Sequence, residues 1–429
     1  MKMHFIGIGG IGISALAKYY LEKDCQISGS DLALSENTQA LKKMGAKIFI
    51  GEQKAENLAK DCNLVIYSPA VKSDNPELKK AKKLNIKVQS YPQALGDLTK
   101  KYFTITVSGT HGKSTTTAML GLLLKNAGLD PTVIVGTKLK EFGNSNCRVG
   151  KSKYLVIEAD EWQASFLNYW PKIAVITNIE KEHLDCYKNL NHILKTYKEY
   201  VGHLPKNGVL VANKDDKNVQ KIKSSSKRQT YSLKQKEADK LKKILKVPGK
   251  HNIYNSLATL TVARILKIPD KTSFKALSEY RGSWRRFEIL KSSKKMTIVS
   301  DYAHHPTEVK MTLKAVREKF PKKEIWCVFQ PHQYQRTFYL FDNFVKAFKE
   351  NPIDKLIIAD IYDVAGREEK GIKKKVSSEK LIKAINEPWA VYLKKEKIVK
   401  YLKKNILNGR KTVLIIMGAG DIYKLVYSF

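Results

Sequence analysis

The sequence predicts an α/β protein of three domains. Three observations lead there: a length of 429 residues, short apolar runs that alternate with amphipathic stretches, and glycine-rich loops where strands pass into helices. At ordinary domain sizes this length accommodates two to four hydrophobic cores, and the alternation is the signature of βα units around parallel sheets. The expected domain boundaries are 1–101, 102–283 and 284–429.

In the first domain a βα unit opens the chain, strand candidates follow at Lys47–Ile50 and Leu64–Tyr67, and the domain closes near Lys100-Lys101. The second starts on the strand candidate Phe103–Val107 and continues through Tyr154–Ile157 and Ile173–Ile176. The third follows Gly282, with strand candidates at Thr297–Val299, Ile325–Phe329, Leu356–Ile358 and Val413–Ile416. Polar or glycine-rich residues follow nearly every one of these strands, among them Ser108-Gly109, Glu158, Asn178, Asp301, Gln330 and Gly418. Open parallel sheets bind ligands beyond the carboxyl ends of their strands, so this placement suits three ligand-binding α/β domains. The Lys/Ser/Gln-rich segment 217–243 is the one low-complexity stretch and reads as surface.

Composition excludes several classes. With 43% hydrophobic and 28% charged residues, 24 Gly and 13 Pro, the chain is neither disordered nor fibrous. The N-terminus runs from Met1-Lys2 straight into a glycine-rich turn, and no apolar run reaches spanning length, so a cytoplasmic protein without membrane insertion is expected. Five scattered cysteines, none in a C-x-x-C pair, support neither a disulfide framework nor a zinc ribbon. The net charge of +37 is spread over short lysine clusters, with no basic arm and no aromatic-studded stripe; it reads as a solvated surface and no nucleic acid is expected.

Two loops carry chemistry. Gly7-Ile8-Gly9-Gly10-Ile11-Gly12 fits G-x-G-x-x-G between a strand and a helix, where backbone N–H groups at a helix start can hold a diphosphate. Asp31 follows Gly12 by nineteen residues, where a ribose-binding acid belongs in a dinucleotide fold. Gly109-Thr110-His111-Gly112-Lys113-Ser114-Thr115-Thr116 then joins a buried strand to an apolar helix, offering a phosphate cradle, a lysine for terminal phosphates and a hydroxyl for Mg²⁺. Its spacing is shorter than the usual P-loop, because Val107 rather than Gly precedes Gly112 by five. Even so, it assigns ATP to this domain. Glu158, with Asp160 and Glu161, ends an apolar strand where a carboxylate can reach a metal at those phosphates, and His183 follows the next strand.

Taken together, these stretches resemble the Mur ligase family over essentially the whole chain. The matching segments are GIGGIG (Gly7 to Gly12), GSD (Gly29 to Asp31), SGTHGKSTTTAML (Ser108 to Leu120), EADE (Glu158 to Glu161), SFL (Ser165 to Leu167) and TNIEKEHLD (Thr177 to Asp185). PGKHNIYNSLA (Pro248 to Ala258), RRFE (Arg285 to Glu288), DYAHHPTE (Asp301 to Glu308), FQPHQYQRT (Phe329 to Thr337) and MGAGDI (Met417 to Ile422) complete the series.

The resemblance implies a Rossmann-like N-terminal domain that holds the UDP of UDP-N-acetylmuramate, a central P-loop ATPase-like domain for MgATP, and a Rossmann-like C-terminal domain for the amino acid. It further implies an ATP-dependent amide ligase that joins L-alanine to the lactyl carboxylate through an acyl phosphate, with no protein nucleophile. The UDP-sugar would be held by Gly9, Gly10, Ile11, Gly12, Ser30, Asp31, Ser68 and His111. ATP would be held by Gly109 through Thr115, with Asn252 and Asn255 at adenine and Arg286 and Asp301 reaching the nucleotide. Ser114, Glu158 and His183 would bind two Mg²⁺ ions, and His304 and Arg336 would lie near the amino acid. With His183 near the metal, no modified lysine is expected, and the protein would act as a monomer or homodimer.

The chain departs from the family pattern in three places. Tyr91-Pro92-Gln93 stands where Arg-Ala-Glu is expected, the segment before Pro248 is abbreviated, and Gln333 replaces an arginine. Alternatives remain at this point. A sister ligase that recycles a preformed murein peptide shares both phosphate loops, the first glycine loop alone suits an NAD-dependent oxidoreductase, and a non-catalytic nucleotide-binding regulator would not need Lys113, Glu158 and His183 together.

Overall fold

A computed structural model describes residues 1–182, 186–293, 295–351, 353–364, 368–406 and 411–429. The first sheet comprises β1 (Lys2–Ile6), β2 (Gln26–Asp31), β3 (Lys47–Ile50), β4 (Leu64–Tyr67) and β5 (Lys87–Ser90), all parallel, in the order β3-β2-β1-β4-β5. Its strand order reverses beside β1, so the ends of β1 and β4 flank a crevice of the kind that binds ligands in open sheets. Around it lie α1 (Ile11–Leu21), α2 (Glu36–Lys43), α3 (Pro76–Lys83) and α4 (Tyr91–Lys101). Local chemistry sets their starts: Ser35 and Ser90 form capping boxes, and Asn75 caps α3 ahead of a proline in the first turn.

The second sheet runs β12-β11-β10-β6-β9-β7-β8. Its members are β6 (Phe103–Ser108), β7 (Thr132–Leu139), β8 (Ser145–Arg148), β9 (Tyr154–Glu158), β10 (Ile173–Ile176), β11 (Val209–Asn213) and β12 (Lys227–Tyr231). Only β8 is antiparallel, paired in a hairpin with β7. The fully buried Val107, Val156 and Val175 show why the central strands read as continuous apolar runs: both faces are covered. The helix α5 (Lys113–Asn126) leaves β6 through Gly112, whose φ of 85° favours glycine.

The lysine-rich segment 217–243 is more than surface. It contributes the edge strand β12 and the helix Glu237–Ile244, and Tyr231 and Leu241 are buried while the lysines around them face solvent. Composition hid these inward anchors, together with Val219, Ile222 and Ala238, among charged neighbours.

The third sheet is ordered β13-β14-β18-β15-β16-β17, from β13 (Glu288–Ser292), β14 (Met296–Asp301), β15 (Glu324–Phe329), β16 (Lys355–Ile358), β17 (Ala390–Tyr392) and β18 (Thr412–Met417). The edge strand β13 is antiparallel to β14, and the other neighbours are parallel. Two cores sandwich this sheet. Val413, Ile415 and Met417 of β18 join Phe329, Phe344 and Phe348 on one face, while Leu414 and Ile416 join Trp326 and Leu402 on the other, the period of two that a strand requires.

The chain divides into two compact units. Met1–Glu182, Asn189–Ala238 and Tyr254–Leu277 form one, holding the first two sheets; Ser278–Phe429 with Asp239–Ile253 makes up most of the other.

Candidate functional site

The glycine loop follows β1 and is fixed by its neighbours. The backbone N–H groups of Gly7 and Ile8 both donate to Ser30 O, and Gly9 N donates to Asp31 Oδ2 at 2.8 Å. A Cβ at Gly9 would stand 2.9 Å from that carboxylate oxygen, so a side chain there would push the Asp31 carboxylate aside. Asp31 therefore fastens the loop as well as ending β2. Ser68, after β4, lies against Gly7. Gly9, Gly10, Ile11, Gly12, Ser30, Asp31 and Ser68 are thus gathered at one end of the first sheet, around the N-terminus of α1, where backbone donors and the helix dipole favour an anion.

Beneath this end lies a polar network that the sequence did not announce. The Glu77 carboxylate, wholly buried, accepts from Ser30 Oγ at 2.7 Å and Asn57 Nδ2 at 2.8 Å and sits 3.1 Å from His4 Nε2, while His4 Nδ1 is 2.8 Å from Ser28 Oγ. Burial alone would raise the Glu77 pKa; the hydrogen bonds from His4, Ser30 and Asn57 outweigh it and hold the carboxyl below its ordinary value. Asn75 caps the helix and Pro76 opens it, while nothing in the local sequence marks Glu77 as pointing into the core.

The second loop wraps the end of β6. Gly109 has a φ of 129°, and a Cβ there would collide with Thr177 Oγ1. His111 N donates to Asn178 Oδ1 at 2.9 Å, and His111 O accepts from Thr177 Oγ1 at 2.7 Å, which ties the loop to the end of β10. Lys113 Nζ donates to Gly109 O at 2.7 Å and to Glu161 Oε2 at 2.9 Å, with Asp160 3.7 Å away. Burial would lower the Lys113 pKa, but Glu161 and Asp160 overcome it and raise it, so the ammonium stays charged. Ser114 Oγ donates to Glu158 Oε2 at 3.1 Å, and Gly136 N on β7 donates to the other oxygen. A hydroxyl and a carboxylate side by side at a phosphate loop make an all-oxygen donor set, the kind that a hard divalent cation takes. Asn255 lies against Gly112, whose added Cβ would meet its Oδ1 at 2.5 Å. His183 lies outside the described residues.

The two loops belong to one unit, and the β7–β8 hairpin links them. Asn146 on β8, fully buried, donates to Ile11 O and to Ser14 Oγ on α1 and accepts from Lys18 Nζ at 2.7 Å. Lys138 on β7 pairs with Glu36 on α2 at 2.6 Å.

In the other unit, Asp301 ends β14 and accepts from Phe287 N at 2.7 Å and Ala303 N at 2.8 Å; burial raises its pKa. Arg286 lies over the Tyr302 ring, 4.8 Å from its centroid. His304 Nδ1 is 3.3 Å from Glu308 Oε2, and its ring meets that of His332 edge-on at 5.8 Å. Arg336 Nη1 donates to His332 O at 3.0 Å, and His332 stacks on Tyr362 at 5.4 Å. The expected pair His304 and Arg336 thus converge through His332, a residue of the FQPHQYQRT stretch to which the resemblance gives no role. Gln333 sits beside it at a φ of 73°, its N–H bonded to Tyr362 O. Asn252 donates its side-chain amide to Pro248 O at 2.7 Å. Arg285 was also missed: it is buried, ringed by Trp284, Tyr302 and Tyr423, and donates to the carbonyls of Gly418 and Gly420.

Comparison with known proteins agrees with this layout. Three family models match in order: Mur ligase family, catalytic domain, over residues 2–103; Mur ligase middle domain, over 107–263; and Mur ligase, glutamate ligase domain, over 285–420. A UDP-N-acetylmuramate–L-alanine ligase of Acetivibrio thermocellus is 42% identical, with 99% of this chain and 94% of the relative covered. The enzyme of that name from Aquifex aeolicus is 40% identical over 100% of this chain and 97% of its own. Among solved structures, UDP-N-acetylmuramate-alanine ligase from Thermotoga maritima superposes with a TM-score of 0.82 at 28% identity, covering 100% of this chain and 98% of that one.

Proposed function

The chain belongs to the Mur ligase family, and from that premise we infer that it joins L-alanine to UDP-N-acetylmuramate at the expense of ATP, a step in making peptidoglycan precursors. The observation that carries the reading is the full-length likeness to L-alanine ligases, spanning all three sheets. Neither an NAD-dependent oxidoreductase nor a murein-peptide recycling ligase is needed to account for the chain.

In this reading the lactyl carboxylate attacks the γ-phosphate of ATP, ADP leaves, and the resulting acyl phosphate is attacked by the amine of L-alanine, which expels phosphate through a tetrahedral intermediate. Bringing a carboxylate to a polyanion requires positive charge held in place beforehand. Lys113 supplies it, kept cationic and oriented by Glu161. Gly109 through Thr115 cradle the phosphates, Asn252 and Asn255 take the adenine, and Arg286 and Asp301 serve the same nucleotide. Ser114 and Glu158 fit a Mg²⁺ ion, with His183 assigned to a second; Mg²⁺ would neutralise phosphate charge. Gly9 to Gly12, Ser30, Asp31, Ser68 and His111 take the UDP-sugar, and His304 and Arg336 take the amino acid. The domains divide at 101/102 and 283/284, and the enzyme works in the cytoplasm as a monomer or homodimer.

The test is phosphate release with UDP-N-acetylmuramate, MgATP and a panel of amino acids. Release should require all three substrates and peak with L-alanine; release with the sugar nucleotide and a tripeptide but not with alanine would move the assignment to the recycling ligase.

A further inference from the structure

One polar group at the mouth of the first loop is unspent. Tyr91 opens α4, directly after the Ser90 cap, and the hydroxyl end of its ring lies against Gly12 in the first turn of α1. A Cβ at Gly12 would stand 2.8 Å from the Tyr91 hydroxyl and 2.9 Å from Cζ, so the absence of a side chain at Gly12 is what admits the phenol. Among the described residues this hydroxyl makes no hydrogen bond, although the residue is half-buried. The two ends of the segment that holds it are fixed. Ser90 caps the helix, and Gly96 of α4 approaches Asn168 O so closely that a Cβ would come within 2.4 Å.

We propose that Tyr91 is a substrate-binding residue of this ligase: its hydroxyl donates a hydrogen bond to an anionic oxygen of the nucleotide sugar held at the start of α1. The inference rests on the assignment of the glycine loop to UDP-N-acetylmuramate. Its geometry follows from Gly12. An anion at a helix N-terminus sits over the first-turn N–H groups, and the phenol stands against that same turn. Its state suits a donor, because burial and the negative charges of Glu158 and Asp160 all raise its pKa and keep the proton on oxygen at neutral pH. The charge of those two carboxylates, which stand at the second loop, reaches the phenol, and a sugar nucleotide that runs from a diphosphate at the first loop to a lactyl carboxylate at the second would pass the hydroxyl that stands against Gly12. A neutral donor there adds recognition without a further positive charge beside Lys113.

Tyr91→Phe removes one oxygen and keeps the ring against Gly12, so the fold should survive, with an unchanged melting temperature and unchanged MgATP affinity. Calorimetry with two ligands tests the proposal. UDP-N-acetylmuramate should bind the variant about ten-fold more weakly, the usual size for a hydrogen bond to a charged group. A parallel loss for UDP-N-acetylglucosamine, which lacks the lactyl group, would place the bond on the diphosphate; a loss confined to UDP-N-acetylmuramate would place it on the carboxylate. Equal binding of UDP-N-acetylmuramate by wild type and variant overturns the inference alone, whereas a wild type that binds neither sugar nucleotide overturns the ligase reading together with it.

Discussion

The Lys113 ammonium lies 2.9 Å from the Glu161 carboxylate, and Glu161 retains only 2% of its surface exposure. The cation is thus stored in the loop against an internal counter-ion, and in the proposed role it would exchange part of that pairing for the phosphates of ATP.

Lys113→Ala should abolish phosphate release and leave UDP-N-acetylmuramate affinity nearly intact, if the two anions are held by different loops as proposed. It should also cost stability, about 3 kcal/mol, since it leaves Glu161 buried without its partner. Calorimetry and thermal melts check both parts, and an equal loss of sugar-nucleotide binding would refute the division of labour.

Glu158 is gripped from two sides, by Ser114 Oγ and by Gly136 N. Glu158→Gln keeps the shape and removes the charge, so kcat should fall by about two orders of magnitude or more while the melting temperature changes little. His183→Ala should raise the Mg²⁺ concentration needed for half-maximal rate. A magnesium titration identical to wild type would remove His183 from the metal site.

At the third sheet the expected carboxylate partners are Arg336 and the departure Gln333. A neutral amide replaces a bidentate cation there, and charge-assisted bonds are roughly twice as strong as neutral ones. Gln333→Arg should therefore lower the KM for L-alanine with little change in kcat, and Arg336→Ala should be far more damaging. Steady-state kinetics with varied alanine decide it: an unchanged or raised KM in the first variant, or near-normal rates in the second, would mean that these side chains do not form the carboxylate site.

The Glu77 network makes a pH prediction. Its folded pKa lies below the unfolded value of about 4.3, so its contribution to stability is complete above that value and is lost as pH falls through the lower, folded one. Glu77→Gln should be less stable at neutral pH and should lose less of its melting temperature between about pH 5 and pH 3. Parallel melting curves for the two proteins across that range would show that the carboxylate is not the group that titrates.

Much of this was legible in the sequence because the signals are local. A glycine loop needs its residues within a few positions, so Gly7 to Gly12 and Gly109 to Thr115 announced their strand-to-helix turns, and apolar runs such as Val413 to Ile416 announced their strands. What stayed hidden depends on distant partners. Glu77 looks like an ordinary helix-start acid until His4 and Ser30 close over it, and Asn146 looks like a turn residue until Ile11 and Lys18 arrive from the other end of the unit. The strands β2, β5, β8, β12 and β13 escaped because polar residues dilute their apolar content, and β17 because it is only three residues long, whereas Val133 to Val135 of β7 and Val209 to Ala212 of β11 are apolar runs that were as readable as the others. In the candidate site, the residue types were readable, but the convergence of His304 and Arg336 on His332 was not, since it joins two strand ends separated in the chain.

The amide of Asn146 bears on how far this protein is modular. It occupies the carbonyl of Ile11 and the amine of Lys18, so a fragment severed after Lys101 would present to water a lysine and a helix start that the intact unit keeps covered. The family models treat the first two segments as separable pieces, yet the hairpin rivets them. Exchanging the first segment between relatives should therefore succeed only when strand β8 travels with it, and a chimera that divides them at the sequence boundary should inherit a mismatched seam rather than a new specificity.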